Sequence, residues 1–317
     1  MSHRLKTCGA AAVLLLLLTL LSSCGQPTVP DETATDYNQY IPSHGVTAYT
    51  KDLYIFFDSG RLFYVGRSQP SQLFPLCFQA DCDHKNSSCT AWLNTPSRSI
   101  YAAGDNLYYI DADKDAKPAL YRMDLSGGGR ELVKSLNILN EESWPGISSL
   151  GYSFRVYGSY LAIELNLLQE DSWQHKIYLT GIDSKDEGVF LFGEEGDSDK
   201  SYIAIEFREN WLFVTEKNAA DGTNTLWGYN FTTQEAVPLV EGWDISNCFT
   251  VQDGILYWAV TGDGVYSMDM EKKSVTKHRS FDPVSEYGAA AYDDQYLYLT
   301  NAIRYMDSQG TVPAEER

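Results

Sequence analysis

Positive charge is scarce in this chain. Lys and Arg together number 24, whereas Asp and Glu number 43, so the net charge is −19. Such an acidic surface repels phosphate backbones, which excludes nucleic acid as an expected partner. The same charge keeps a domain from lying flat on an anionic leaflet and helps it to stay in solution.

Long apolar runs are also lacking. The longest run, residues 10–21, has twelve residues, whereas a membrane-spanning helix needs about 20. Arg4 and Lys6 precede the run, and the small residues Ser22 and Ser23 follow it. This order of charge, apolar run and small residues predicts an export signal rather than a membrane helix.

The end of that signal, Leu21-Ser22-Ser23-Cys24-Gly25, resembles the lipobox of bacterial lipoproteins. The resemblance implies cleavage before Cys24, a diacylglyceryl group on its thiol and often acylation of the new amino terminus. An ordinary secretory signal that happens to end near a cysteine is the alternative. Because two acyl chains suffice for stable anchoring, we expect an extracytoplasmic protein that is attached to the membrane by lipid on Cys24.

The segments divide as follows. Residues 1–23 form the signal peptide, and residues 24–44, rich in Pro, Thr, Asp and Gln, form a lipidated tether and spacer. Removal of the signal takes away two basic residues and no acid, so the net charge becomes −21. Residues 45–308 carry the repeats described next, and residues 309–317 are a polar tail.

Sustained helical periodicity is absent from the rest of the chain, and a strand-like pattern recurs in its place. Six cores begin at leucines separated by 54, 54, 51, 44 and 41 residues: Leu53, Leu107, Leu161, Leu212, Leu256 and Leu297. Each core is followed by a second run rich in aromatic and β-branched residues. A period of about 40–55 residues with several short strands is typical of a β-propeller. We therefore predict an all-β propeller of about six four-stranded antiparallel blades.

The unit from Leu107 to Leu132, LYYIDADKDAKPALYRMDLSGGGREL, carries a resemblance to a known family. It is similar to the YWTD-type repeat of propellers in low-density-lipoprotein-type receptors, although Ser126 separates Leu125 from Gly127. The chain also resembles exported bacterial lipoprotein propellers over about residues 45–308. This resemblance implies the fold and the compartment and implies no reaction.

Three cysteines and a histidine lie close together between the first and second units. Their spacing is C-x4-C-x-H-x4-C, formed by Cys77, Cys82, His84 and Cys89. Thiolates and imidazole are ligands of tetrahedral zinc, and four protein ligands make a structural site without an open position. The exported propellers that the chain resembles carry the same insertion, usually with Lys-Pro in its first gap.

Disulfides are the alternative for this cluster. Outside the cell thiols can oxidise, and Cys248 makes the number of non-lipidated cysteines in the mature chain an even four. One structural zinc, at least one disulfide and reduced bystander thiols therefore all remain open at this point.

Other motifs point to no chemistry. Asp111, Asp113 and Asp115 alternate like the start of a calcium loop, but Ala116 and Arg122 replace the required glycine and glutamate. We interpret these acids as a solvated turn. The three consecutive glycines at 127–129 read as a hairpin turn, and the histidines outside the cysteine cluster suggest no catalytic triad.

Three functions remain. The leading hypothesis is a non-catalytic binding or scaffold lipoprotein at the cell surface, because a tethered propeller without a recognisable catalytic set fits that role. The second is a glycan-active enzyme, a glycosidase or lyase, and the third is a structural subunit of an envelope complex. A glycan or an envelope protein is thus the expected partner. The last unit lacks an outer strand, so we also predict that residues 37–41 close the ring by pairing with residues 303–307.

Overall fold

The computed structural model describes most of the repeat region. The described residues are 47–50, 52–94, 99–169, 172–185, 187–193, 199–242, 249–260, 263–280, 289–292 and 297–300. The predicted signal peptide, Cys24, the tether, Cys248 and the polar tail lie outside them. Both strands of the predicted ring closure also lie outside them.

Short antiparallel strands make up nearly all of the described chain, in five four-stranded sheets and a sixth with two strands. The first sheet contains β1 (Thr47–Tyr49), β2 (Leu53–Asp58), β3 (Arg61–Gly66) and β4 (Gln69–Pro75). The second contains β5 (Ile100–Ala103), β6 (Asn106–Ala112), β7 (Pro118–Asp124) and β8 (Glu131–Ser135). The third contains β9 (Ile147–Tyr157), β10 (Tyr160–Gln169), β11 (Ser172–Gly181) and β12 (Val189–Phe192).

The remaining sheets follow the same order. The fourth contains β13 (Lys200–Arg208), β14 (Trp211–Asn218), β15 (Asn224–Asn230) and β16 (Glu235–Glu241). The fifth contains β17 (Phe249–Gln252), β18 (Ile255–Val260), β19 (Gly264–Asp269) and β20 (Ser274–Ser280). The sixth contains β21 (Ala289–Tyr292) and β22 (Leu297–Thr300), and two short 3-10 helices, Asn137–Leu139 and Glu141–Ser143, follow β8. None of the helices among these residues has the length or apolar character needed to cross a bilayer.

The sequence repeat corresponds to the sheets. Each of the six leucine cores lies in the second strand of a sheet, and within each four-stranded sheet neighbouring strands are consecutive in the chain. The first strands of neighbouring sheets contact one another, β1 with β5, β5 with β9 and β9 with β13, so they form the inner part of the assembly. The predicted β-propeller is confirmed.

Two-residue turns join several strands. At Ser59-Gly60 the backbone φ angles are 49° and 84°, and at Asp253-Gly254 they are 51° and 71°. Positive φ at both central residues is the geometry of tight hairpins whose twist matches the flanking strands. Ser59-Gly60 joins β2 to β3 in this way, and Asp253-Gly254 joins β17 to β18.

Apolar side chains fill the spaces between neighbouring sheets. One cluster joins the second and third sheets through residues such as Tyr108, Leu120 and Leu161, and a second joins the third and fourth sheets around Tyr160 and Leu212. A buried leucine contributes about 1.5–3 kcal/mol to folding. Each sheet thus depends on its neighbours to cover its apolar faces.

Candidate metal centre

The cysteine segment leaves the first sheet after β4 and runs toward β5. It is built from tight turns, in which the Cys82 N–H donates to the Gln79 carbonyl at 3.3 Å and the Cys89 N–H donates to the Asn86 carbonyl at 3.0 Å. The hydrogen bonds of these turns pair backbone groups between residues 76 and 94, where the chain forms no helix or named strand. They also fold the segment back on itself, so residues twelve positions apart can meet.

The structure brings Cys77, Cys82, His84 and Cys89 together. One ligand atom from each residue lies within 4.8 Å of the corresponding atoms of the others. His84 has a φ of 55°, and in this conformation its backbone N–H lies 3.4 Å from Cys82 Sγ and its ring Nδ1 lies 3.3 Å from Cys89 Sγ. All three described cysteines are free thiols rather than disulfides. This Cys3His cluster could hold a metal ion.

Burial places the cluster at the junction of two sheets. Cys89 is only 1% exposed and packs in one apolar core with Ile55 and Leu62 of the first sheet and with Leu107 and Tyr109 of the second. Cys77 and Cys82 are partly buried against the same core. An ion held here would be shielded from water on one side and tied to both sheets.

Hydrogen bonds attach the segment to the first sheet. The Leu62 N–H donates to the Ala91 carbonyl at 2.8 Å, and the Leu93 N–H donates to the Gly60 carbonyl at 3.0 Å. The Arg61 guanidinium donates to the backbone carbonyl of His84 at 3.2 Å. The segment therefore continues the hydrogen bonding of β3 beyond the sheet itself.

A glycine and an arginine attach the segment to the second sheet. A Cβ on Gly127, in the turn between β7 and β8, would lie 2.5 Å from the Leu76 carbonyl oxygen, so only glycine allows this approach. Arg130 donates to the Trp92 carbonyl at 3.0 Å, pairs with the Asp111 carboxylate and lies 4.9 Å from the centre of the Tyr121 ring. The predicted hairpin turn at residues 127–129 is thus also a contact surface.

The interpretation of Asp111 as part of a solvated turn was wrong. Its side chain is fully buried, and besides Arg130 it accepts the Asn94 N–H at 3.1 Å. A buried carboxylate needs such partners because desolvation of an isolated charge is costly. Asp113 and Asp115 do lie in the exposed turn after β6, where the Asp113 carboxylate accepts the N–H groups of Asp115 and Lys117, both at 2.9 Å.

The thiols of the cluster differ in acidity. Burial opposes ionisation of Cys77, but the nearby hydroxyl of Thr90 and the backbone of Gln79 outweigh it and lower the pKa of Cys77 to about 6. Burial, followed by the neighbouring cysteine side chains, raises the pKa of Cys89 to about 12. Three thiolates at such short range repel one another, so a cation would be needed to ionise all of them.

Sequence reasoning missed a group of charged side chains on β9, β10 and β13, which we call the inner charged group. Glu206 and Arg208 of β13 form an ion pair, and Arg155 of β9 interacts electrostatically with both Glu206 and Glu164. Burial raises the pKa of Glu164 to about 7, and burial also raises the pKa of Glu206. The only signal in the sequence is a charged residue within an otherwise apolar strand, such as Glu164 in LAIEL.

One histidine outside the cluster has an unexpected neighbour. His278 Nε2 lies 2.7 Å from the Ser267 hydroxyl oxygen. No acidic side chain in the described part of the chain hydrogen-bonds His278. Ser267 sits in the middle of β19, paired with Tyr257 and Thr276 on its two sides, so its backbone is committed to the sheet. Within the described ranges the pair therefore has no orienting acid of the kind that a serine hydrolase uses.

Comparison with known proteins adds evidence on the fold. No protein-family model matches the sequence, and no curated protein matches it. Among solved structures, a prolyl endopeptidase aligns with a TM-score of 0.51 at 12% identity, over 94% of this chain and 45% of that one. An oligogalacturonate lyase in complex with manganese aligns with a TM-score of 0.45 at 13% identity, over 75% of this chain and 64% of that one.

The nidogen–laminin complex aligns with a TM-score of 0.41 at 13% identity, over 79% of this chain and 85% of that one. At these identities a structural likeness concerns the fold alone. The chain spans less than two thirds of the length of the lyase and of the endopeptidase. This protein is a β-propeller in which a Cys3His cluster able to hold a metal ion lies between the first two sheets.

Proposed function

We propose that this protein is a non-catalytic binding or scaffold propeller that is exported and held at the membrane by lipid on Cys24. The observation that carries the proposal is the position of the Cys3His cluster, four converging ligands at the junction of two sheets. An ion with four protein ligands has no open position for water or substrate, so its role is structural. The order of charge, apolar run and Cys24 supports export and anchoring.

The ion in this proposal is zinc. Three thiolates and one imidazole are soft and borderline ligands, which suit tetrahedral zinc better than calcium or magnesium. Elemental analysis of protein purified under reducing conditions should find about one zinc per chain. Cys89→Ser should lose most of that zinc, whereas Ser87→Ala, a change at an exposed residue of the same segment, should retain it.

A peptide map under non-reducing conditions tests the alternative. Disulfides that include all of Cys77, Cys82 and Cys89 in the native protein would end the zinc assignment, and the segment would then be a covalent staple. Free thiols at all three positions together with bound zinc would support the metal centre.

Binding and turnover can be separated in one experiment. The purified protein is incubated with envelope glycans. Two quantities are measured: the glycan that stays bound to the protein, and the new reducing or unsaturated sugar ends that cleavage would create. Retention without new ends would support a binding propeller. New ends that scale with protein concentration would contradict it and support an enzyme.

A glycan-active enzyme is the second candidate because of the inner charged group. A carboxyl whose pKa is about 7, as at Glu164, can donate and accept a proton near neutral pH. Arg155, which interacts with that carboxyl, could hold an acidic substrate group. Under this candidate Glu164→Gln should abolish glycan cleavage, whereas Glu235→Gln, at an exposed position of the fourth sheet, should not.

A further inference from the structure

A groove of about 560 Å³ lies between the second and third sheets, away from the cysteine cluster and the inner charged group. This volume falls within the range of about 300–1,000 Å³ that is typical of small-molecule sites. Its apolar floor includes Leu136, Tyr178 and Phe190. One wall is the end of β8 with the 3-10 helix after it, and the other is the connection from β11 to β12.

The walls are held in place by specific contacts. Lys134 Nζ crosses the groove and donates to the carbonyls of Gly181 at 3.1 Å and Ser184 at 2.6 Å. On the far wall the Gly188 N–H donates to the Tyr178 hydroxyl at 2.6 Å, and a Cβ on Gly188 would lie 2.3 Å from the Leu179 carbonyl oxygen. The groove is therefore preformed, and a ligand would not have to order its walls.

Trp144 supports the floor from behind. Its indole N–H donates to the Ile138 carbonyl at 2.8 Å, and its ring meets Phe190 edge-on at a centroid distance of 5.9 Å. Tyr178 packs against Phe190 in the same edge-on manner at 5.4 Å. An occupied groove would thus change the surroundings of a tryptophan through one intervening ring.

Among the described residues the rim is polar and carries one acid, Glu187. Ser135, Asn137 and Ser143 line it from one wall, and the Ser135 and Asn137 side chains make no hydrogen bond with other described residues. Lys185 and Glu187 stand on the opposite wall with opposite charges. Hydroxyl and amide groups around an apolar floor match a ligand with many hydroxyls and apolar ring faces.

We infer that this groove binds a neutral carbohydrate chain. The inference rests on the proposed binding function and names its ligand class and its place. The Asn137 amide and the Ser135 hydroxyl hydrogen-bond sugar hydroxyls, while a sugar ring lies on the floor near Phe190. A phosphate or uronate is disfavoured because the described residues of the rim form no unopposed cluster of cations: Lys134 donates to carbonyls, and Glu187 balances Lys185.

The test is a titration of the soluble chain with a neutral glucose hexasaccharide and, separately, with a galacturonic acid hexasaccharide. Tryptophan fluorescence reports occupancy, and Trp144→Phe should remove the signal. Asn137→Ala and Ser135→Ala should each weaken binding of the neutral chain about three- to tenfold, the range expected for one lost hydrogen bond. Thr233→Ala, at an exposed position in the turn between β15 and β16, should leave affinity unchanged.

Three results would overturn the inference. The first is no fluorescence response to the neutral hexasaccharide at millimolar concentration. The proposed binding function would survive this result, because the protein could bind a protein partner instead. Equal affinity of Asn137→Ala, Ser135→Ala and the unmodified chain would place any bound sugar elsewhere. Preference for the uronic hexasaccharide that depends on Lys185 would contradict the neutral class. Unchanged melting temperatures of both alanine variants show that a loss of affinity is not a loss of folding.

Discussion

Substitution of Gly127 by alanine tests whether the turn after β7 holds the cysteine segment in place. Gly127 has a φ of 84°, and an added Cβ would lie 2.5 Å from the Leu76 carbonyl oxygen and 2.8 Å from the Cys77 nitrogen. Left-handed backbone costs a non-glycine residue about 1–2 kcal/mol, and overpacking against backbone adds about 1–3 kcal/mol. We expect Gly127→Ala to lower the free energy of unfolding by about 2–5 kcal/mol.

Gly242 provides a matched control. It has the same φ of 84°, but a Cβ there would meet nothing within 4 Å. Gly242→Ala should therefore cost only the backbone component, about 1–2 kcal/mol. Denaturant titration followed by circular dichroism gives both free energies. A chelator that changes colour on binding zinc measures metal release, which should be faster in Gly127→Ala because Cys77 follows the displaced carbonyl.

Equal destabilisation by the two substitutions would refute the reasoning. It would mean that the cysteine segment moves away from the turn without any loss of stability. The contact between this segment and the second sheet would then contribute nothing to folding. A larger loss in Gly127→Ala with unchanged metal release would also count against it, because the contact would then stabilise the sheet without positioning the cluster.

Four further predictions concern other parts of the chain. A fatty-acid probe should label the unmodified protein in cells but not Cys24→Ala, and an unlabelled unmodified protein would refute lipidation. Asp111→Asn should cost about 1.5–3 kcal/mol in denaturant titrations because the partly buried Arg130 guanidinium loses its charged partner, whereas Glu131→Gln, in an exposed pair, should cost under about 1 kcal/mol. Burial raises the pKa of Glu164 to about 7, so between about pH 4.5 and pH 7 the folded chain keeps a proton that the unfolded chain has released. The free energy of unfolding should therefore fall as pH rises from about 4.5 to 7. Glu164→Gln should flatten this part of the measured curve of stability against pH. Deletion of residues 25–42 should lower the melting temperature by several degrees if they supply a closing strand, since a lost strand costs about a few kcal/mol, and an unchanged value would contradict the closure.

The strands were predictable because their signal is local. Runs such as LYYID and LYWAV combine aromatic and β-branched residues with polar turns before them, and both features act within a few residues. The spacing of Cys77, Cys82, His84 and Cys89 was equally local, so the tight turns that bring these residues together depend on one short segment. Fold class and candidate site could therefore be predicted without knowledge of the packing.

Contacts between sheets could not be predicted in the same way. Arg130 reaches Trp92 because the turn after β7 meets the cysteine segment that follows the first sheet, and this relation depends on how neighbouring sheets pack. The grouping of Arg155 with Glu206 depends on the inner strands of two sheets lying side by side. The length of the repeat predicts the order of the sheets along the chain. It does not predict the angle between neighbouring sheets or which of their side chains are in contact.

The attachment of the cysteine segment to both of its neighbours has a mechanical consequence. Under the proposed anchoring at Cys24, a pulling force would enter the described part of the chain at β1, the first strand of the first sheet. Without the contacts of the cysteine segment, only the apolar side chains packed between the first and second sheets would keep the first sheet from separating strand by strand. Two sets of hydrogen bonds would divide such a load between the sheets. The backbone N–H groups of Leu62 and Leu93 bond the cysteine segment to the first sheet, and Arg130 donates from the second sheet to the Trp92 carbonyl. A metal ion would join the turns of this segment to one another, so the segment would resist unfolding while it carries load between the first two blades.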